Sequence, residues 1–240
     1  MKYLLPIALV ACGGSKPKPP PSRPDQPAEA PHAVRVPVED TEPDDGVEVV
    51  ASHGHMDPAV VDAGISPYKN DLEDCFTGQA GNRRWLGGKV TLRWDVLKNG
   101  EVKRVMISES DLGAWPIEKC LLEVARKATF GKPIGGKADF TIPLEFAARG
   151  PFIDWQDDQI KKALGTQLQK LAPCARVKGA PYGVTITVYV GPRGIPQSVG
   201  FASARSVIDD AWADCAEKAA LAWRLTDPKG IIAKLAIKYR

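Results

Sequence analysis

Residues 88–108 read Gly-Lys-Val-Thr-Leu-Arg-Trp-Asp-Val-Leu-Lys-Asn-Gly-Glu-Val-Lys-Arg-Val-Met-Ile-Ser, and this stretch decides the fold class. Val90, Leu92, Trp94 and Val96 alternate with Thr91, Arg93 and Asp95, the period-two pattern of a strand with one buried face. Asn99-Gly100 follows; these residues tolerate the positive φ angles of a tight two-residue hairpin turn. A second strand over roughly 101–108 then carries Val102, Val105 and Ile107 back along the first. Downstream, Ile117, Leu121, Val124 and Ala128 recur at helical spacing, with Cys120 on or beside that face. Pro133 and Gly135-Gly136 turn the chain into a third strand, where Phe140, Ile142, Leu144 and Phe146 alternate. With a leading helix near Asp71 and Phe76, the unit is α+β: helix, strand, strand, helix, strand.

The same unit occurs twice. Aligning Gly100 with Gly194 sets Val90-Thr91-Leu92 on Val184-Thr185-Ile186, Trp94 on Val188 and Val96 on Val190. One inserted residue brings Cys120 onto Cys215, Phe130 onto Leu225, Pro133 onto Pro228, Ile142 onto Ile237 and Leu144 onto Tyr239. Cys75 and Cys174 both precede the first strand of their copy. A repeat of this length is read before any fold is assigned. It predicts two tandem small domains, residues 69–148 and 149–240, the second opened by a helix from about 158 to 171 that Pro173 stops.

At the start of the chain, Lys2 and a short apolar run lead into Leu9-Val10-Ala11-Cys12, the pattern of a bacterial lipobox. Residues 1–11 are read as a signal peptide and Cys12 as the lipidated residue. Gly13 after the cysteine carries no inner-membrane retention signal, so the expected location is the outer membrane of a Gram-negative cell, facing the periplasm. Residues 12–68 form a tether rich in proline, with four basic residues against ten acidic ones over 13–68. With Lys2 set aside, the formal +3 of the whole chain leaves residues 69–240 at +8. Within the tether, Glu39 to Glu48 is strongly acidic, and Gly46-Val47-Glu48-Val49-Val50 is a β-prone patch able to add to a sheet edge. His53-Gly54-His55, with Asp57 nearby, falls short of the four well-held ligands of a structural metal site, so no metal is expected.

Five cysteines occur. With Cys12 assigned to the lipid, an exported chain with four remaining implies disulfides, and the duplication selects Cys75–Cys120 and Cys174–Cys215. Each closes a loop of about 45 residues, worth roughly 4 kcal/mol in the chain-entropy model. All three histidines precede residue 69, which removes the commonest general base from the folded part, and no nucleophile or phosphate-loop motif is present. The reading is non-enzymatic, with no cofactor, no catalytic residue and no small-molecule substrate. The positive charge is spread along the chain in pairs such as Arg83-Arg84, so nucleic acid is not expected. Trp85 and Trp155 lie outside the periodic segments; core is the expected fate of both, with exposed contact as the alternative.

The run Asp71-Leu72-Glu73-Asp74-Cys75-Phe76, the strand with Asn99-Gly100, the cysteine helix ending in Phe130-Gly131-Lys132-Pro133 and the closing Ile142-Pro143-Leu144-Glu145-Phe146 together resemble the TonB C-terminal domain. More narrowly, they resemble the variant found in myxobacterial gliding-motility proteins of the AgmX/PglI type. The resemblance covers residues 70–150 directly and 160–240 through the internal alignment, where the Asn-Gly turn and the double glycine are missing. It implies a periplasmic domain that binds partner proteins, in TonB itself by pairing a strand with a short extended peptide. TonB is held by a membrane-spanning helix, whereas a lipid anchor is expected here, which favours a passive adaptor over an energy transducer.

The expectation is therefore an envelope adaptor or structural component serving transport, secretion or gliding. It would hold partner proteins by β-augmentation at the edges of its closing strands, through Phe140, Ile142 and Leu144 in the first copy and Leu235, Ile237 and Tyr239 in the second. Proline at Ile142 or Ile237 is the substitution expected to abolish capture. The alternative is a binder of cell-wall or lipopolysaccharide polyanions, which salt would weaken.

Overall fold

The alternation read from residues 88–108 buries the expected face: Val90, Leu92, Trp94 and Val96 are all enclosed, each worth roughly 1.5–3 kcal/mol of transfer free energy or more for the tryptophan. The computed structural model describes residues 53–177 and 179–239, which belong to one compact unit. Cys12, residues 1–11 read as a signal peptide, the acidic segment from Glu39 to Glu48 and the β-prone patch from Gly46 to Val50 lie outside the described residues.

In the first half, helices α1 (Pro58–Ile65) and α2 (Lys69–Ala80) lead into β1 (Gly88–Val96), β2 (Val102–Ser110), α3 (Trp115–Ala125) and β3 (Ala138–Phe146). The second half contains β4 (Ile153–Asp154), α4 (Asp157–Leu164), a 3-10 stretch Gln167–Arg176, β5 (Val184–Val190), β6 (Pro196–Ser203), α5 (Asp210–Leu221) and β7 (Ala233–Tyr239). The molecule is α+β with two sheets, ordered β2-β1-β3 and β4-β7-β5-β6. β1 is central in the first sheet, flanked antiparallel by β2 and β3, and β5 is flanked in the same way by β6 and β7. Disulfides Cys75–Cys120 and Cys174–Cys215 form as the duplication selects, with Cα atoms 5.6 and 5.7 Å apart. They tie α2 to α3 and the 3-10 stretch to α5.

Three expectations change. The tether read to residue 68 gives way to helical structure from Pro58. Asp57 caps α1 by accepting from the Ala59 N–H at 2.8 Å, Pro58 takes the first helical position, and Ile65 is buried in the core. The second half has the same feature 99 residues later: Gln156 caps α4 reciprocally with Gln159, and both helices span eight residues. The spacing from Cys75 to Cys174 is also 99, so the matching features reach back to Asp57 and Gln156.

The helix expected over 158–171 ends at Leu164, because Gly165 turns left-handed there (φ 47°). Pro173 then sits inside the 3-10 stretch and does not stop a helix. The hairpin is also looser than two residues. The Gly100 N–H bonds the Leu97 carbonyl and the Leu97 N–H bonds the Glu101 carbonyl, making a three-residue loop in which Gly100 alone takes positive φ (90°) while Asn99 does not.

The two halves dock through an asymmetric contact. On the second face of β1 stand Thr91, Arg93 and Asp95, half-buried, with Arg93 and Arg104 paired to Asp95 and Arg93 also to Asp139. The matching positions of β5 are Thr185, Thr187 and Tyr189, and Thr187 and Tyr189 are buried. This second face of the β5–β6 pair lies against residues 110–118 of the first half. Tyr189 donates to the Gly87 carbonyl at 2.6 Å and Ser198 to the Gly113 carbonyl at 2.7 Å. Trp115 donates its indole N–H to Asp214 at 2.7 Å.

Candidate partner-binding edge

An exposed sheet edge presents unpaired backbone groups, and which residues present them follows from the ladder. Lys89 and Thr91 turn their carbonyls toward β2, where they accept from the Asp111 N–H at 3.0 Å and the Ser108 hydroxyl at 3.1 Å. The even-numbered residues of β1 therefore face β3. In the register Leu92–Ile142 and Val90–Leu144, Ile142 and Leu144 bond inward, while Asp139, Thr141, Pro143 and Glu145 aim their backbone outward. Pro143 sits where a proline belongs in a sheet, with its missing N–H on the outer side. Among the described residues no strand pairs with this outer side of β3.

Side chains complete the site. Phe140, Ile142, Leu144 and Phe146 are half-buried on one face of β3. Phe140 stacks on Trp94 with centroids 5.4 Å apart and meets Phe130 edge-on at 4.9 Å. Phe146 stacks on Phe76 of α2 at 4.6 Å. Between β3 and helices α1 and α2 runs an open groove of about 450 Å³, walled by Ile65, Leu72, Phe76, Ile142, Leu144 and Phe146. It continues past Phe76 toward Arg83, Arg84 and Arg149, which make that end basic. Burial lowers the proton affinity of the Arg83 guanidinium, and Glu217 opposes this.

The closing strand of the second half is a different surface. Lys234 turns its carbonyl outward, and the Trp155 N–H already occupies it at 2.8 Å as β4 adds in parallel. Leu235 is only 2% exposed, so its expected role as a contact residue is corrected: its side chain fills the core and its backbone bonds β5. Ile237 and Tyr239 are half-buried and also bond inward to β5. Only Ala236 and Lys238 present their backbone beyond β4. The proposed proline test is corrected for the same reason, since the amides of Ile142 and Ile237 point into the ladder and proline there would break the sheet. Trp85 packs on Tyr189 at 4.8 Å between the halves, and Trp155 is buried.

One residue the sequence reading passed over is Glu118. It is completely enclosed between the halves, with Oε1 accepting from the Ser110 hydroxyl at 2.7 Å and Oε2 from the Phe201 N–H of β6 at 2.7 Å. Burial pushes its carboxyl up to about 7 against the pull of these donors and of the Ala114 and Gly113 backbone. Gly200 must lack a side chain here, because a Cβ would sit 2.4 Å from Oε1 and 2.5 Å from the Ala114 nitrogen. Glu118 thus serves as a joint between the halves. Its signal was readable: a lone acid beside Ile117 and Leu121, on the apolar stripe of a helix.

Lys234 is a second buried joint. Its ammonium bonds Asp111 at 2.9 Å and lies 5.3 and 5.5 Å from the Phe152 and Tyr189 ring centroids.

Among the described residues, no group of three or more His, Cys, Asp or Glu is placed to hold a metal ion, and no helix is long and apolar enough to cross a membrane. Comparison with family models, curated proteins and solved structures found no match.

Proposed function

We propose that this chain is a lipid-anchored adaptor of the Gram-negative outer membrane, facing the periplasm, that captures partner proteins by strand addition on the outer side of β3. In this reading the two halves are TonB C-terminal-like domains and Cys12 carries the lipid. The observation that supports it most is the coincidence of two features in one place. β3 has outward backbone groups at Asp139, Thr141 and Glu145, and an apolar groove runs beside the same strand. Backbone pairing supplies affinity, and the groove reads alternate side chains of the incoming segment. A fitting segment is extended, carries apolar residues at every second position, and ends in acidic residues beside Arg83, Arg84 and Arg149. The second half then acts chiefly as a rigid base, with its own closing strand partly covered by β4.

The test is cross-linking mass spectrometry on intact envelopes with the full lipoprotein as bait, wild type against Thr141→Pro. Proline at 141 deletes an outward N–H and leaves the inward ladder in place. Links from residues 139–147 to one envelope protein, lost in the variant, are the expected result. Links that persist unchanged in the variant refute strand addition. Recovery of wall or lipopolysaccharide alone, abolished by salt, would instead identify a polyanion binder.

A further inference from the structure

The basic end of the groove is built more narrowly than a patch of positive charge. Its floor is Phe76, Ala80, Leu86 and Ala147, and the pocket there holds about 290 Å³. Of its three arginines, Arg83 is already committed. Its guanidinium donates to the Gln79 and Ala80 carbonyls, which closes the C-terminal end of α2 and answers the negative end of the helix dipole. Arg84 and Arg149 are exposed, and no acceptor among the described residues takes either guanidinium.

The backbones of these two arginines are tied together. The Arg84 carbonyl accepts from two successive N–H groups, Arg149 at 2.7 Å and Gly150 at 2.6 Å, and a Cβ on Gly150 would lie 3.1 Å from the Arg84 Cβ. Two successive donors on one carbonyl make a bulge, just past Gly88–Phe146, the last pair of the β1–β3 ladder. The bulge breaks the alternation of β3 and leaves Arg149 on the wall of the groove.

Position decides what this pair can read. The arginines stand past the last rung of the ladder, so a segment paired along β3 has no further backbone partner when it reaches them. An internal Asp or Glu projects from a strand toward one face or the other, whereas the carboxylate that ends a chain lies on the strand's own line. Guanidinium groups offer the forked donors that a carboxylate takes bidentately. The charges along the groove run the same way. Glu73 and Glu145 line it ahead of the arginines, and Lys69 is paired with Asp62 at 2.9 Å, so the negative end of a bound segment belongs at Arg84 and Arg149.

We infer that the captured segment is the C-terminal end of a partner protein, running parallel to β3, with its terminal carboxylate held between Arg84 and Arg149. The parallel direction follows because β3 itself runs toward the arginines. The inference rests on the strand-addition reading and adds to it the direction of the partner and the end that is recognised.

The test is fluorescence anisotropy on the full chain with a labelled peptide of alternating valine and serine, made once with a free C-terminal carboxylate and once as the C-terminal amide. The free acid should bind about tenfold or more tighter than the amide, the weight of a charge-assisted hydrogen bond, and the difference should vanish when Arg84→Gln and Arg149→Gln are combined. Both side chains are exposed and their backbone bonds stay, so the variant should keep the wild-type circular-dichroism melt. Equal affinity of acid and amide for the wild type overturns the inference and leaves strand addition standing. A preference for the acid that persists in the double variant overturns it as well. Binding of neither form removes strand addition and the inference together. A nitroxide on the first residue of the peptide reads the direction: broadening of the Asp139 amide agrees with the parallel arrangement, and broadening of the Phe146 amide overturns it.

Discussion

Replacing Glu118 by Gln tests how the halves are joined, and its outcome depends on pH in a way the structure sets. In the wild-type protein two donors, the Ser110 hydroxyl and the Phe201 N–H, reach the two oxygens of one enclosed carboxyl. Glutamine keeps one acceptor oxygen and turns an NH₂ group toward a donor. The loss of one bond beside an unsatisfied buried group costs about 1–3 kcal/mol. The pH dependence works against the wild type. Its carboxyl titrates at 4.5 when exposed and at about 7 in the fold, so the native state holds the proton more tightly. The stability this confers is complete below pH 4.5 and is lost as pH rises through about 7, a change of up to about 3 kcal/mol. Glutamine has no such slope. The gap between wild type and variant is therefore widest below pH 4.5 and closes or reverses by pH 8. Urea unfolding followed by tryptophan fluorescence measures it, Trp115 lying three residues from the mutated position. In thermal melts the narrowing amounts to about 6–12 °C for a chain of this size. A gap that stays constant, or widens toward pH 8, refutes the reasoning: the donors around the carboxylate would then outweigh its burial.

Gly200→Ala forces a methyl group onto Glu118 and Ala114 and should destabilise the protein by about 1–3 kcal/mol or more; an unchanged melting temperature would mean the halves are not docked this way. Gly194→Ala is expected to cost at least as much, since a Cβ would lie 1.9 Å from the Leu225 carbonyl oxygen and the backbone is left-handed there (φ 69°); urea midpoints decide it. Ile142→Pro should destabilise the protein by about 3 kcal/mol or more through the lost ladder bond, whereas Thr141→Pro should cost much less; equal losses in circular-dichroism melts would mean the inward and outward sides of β3 have been exchanged. Replacing Cys174 and Cys215 together by Ser should lower stability by about 2–4 kcal/mol, read from the same melts.

Legibility in the sequence divided along physical lines. The strands were plain because β1 alternates and its neighbours repeat the pattern, and the disulfides followed because a duplication leaves one pairing that treats both copies alike. Helix α1 was hidden by composition, since Pro58 and Asp57 read as tether until Ile65 is seen buried. The open side of β3 was legible as an edge, and Pro143 in the strand was the local signal for which backbone groups point outward. The start of β7 was misread as equally open because β4 is two residues long and has no periodicity of its own. The joint between the halves was missed although it left a trace. Where β1 has Arg93 and Asp95, β5 has Thr187 and Tyr189, so the second strand lacks the alternation of one wet face.

That substitution pair gives the two halves different work. A sheet whose central strand carries Arg93 and Asp95 keeps one face in contact with water, while one carrying Thr187 and Tyr189 must cover both faces. The second half covers its extra face with residues 110–118 of the first and part of its closing edge with β4, and so spends its available surfaces on holding the molecule together. The first half spends none of β3 in this way. Its closing strand keeps the outward groups of Thr141 and Glu145, beside a groove that its own helices line but do not fill. Docking therefore accounts for why the two closing strands differ among the described residues: β7 shares its outer side with β4, whereas β3 has no strand paired there.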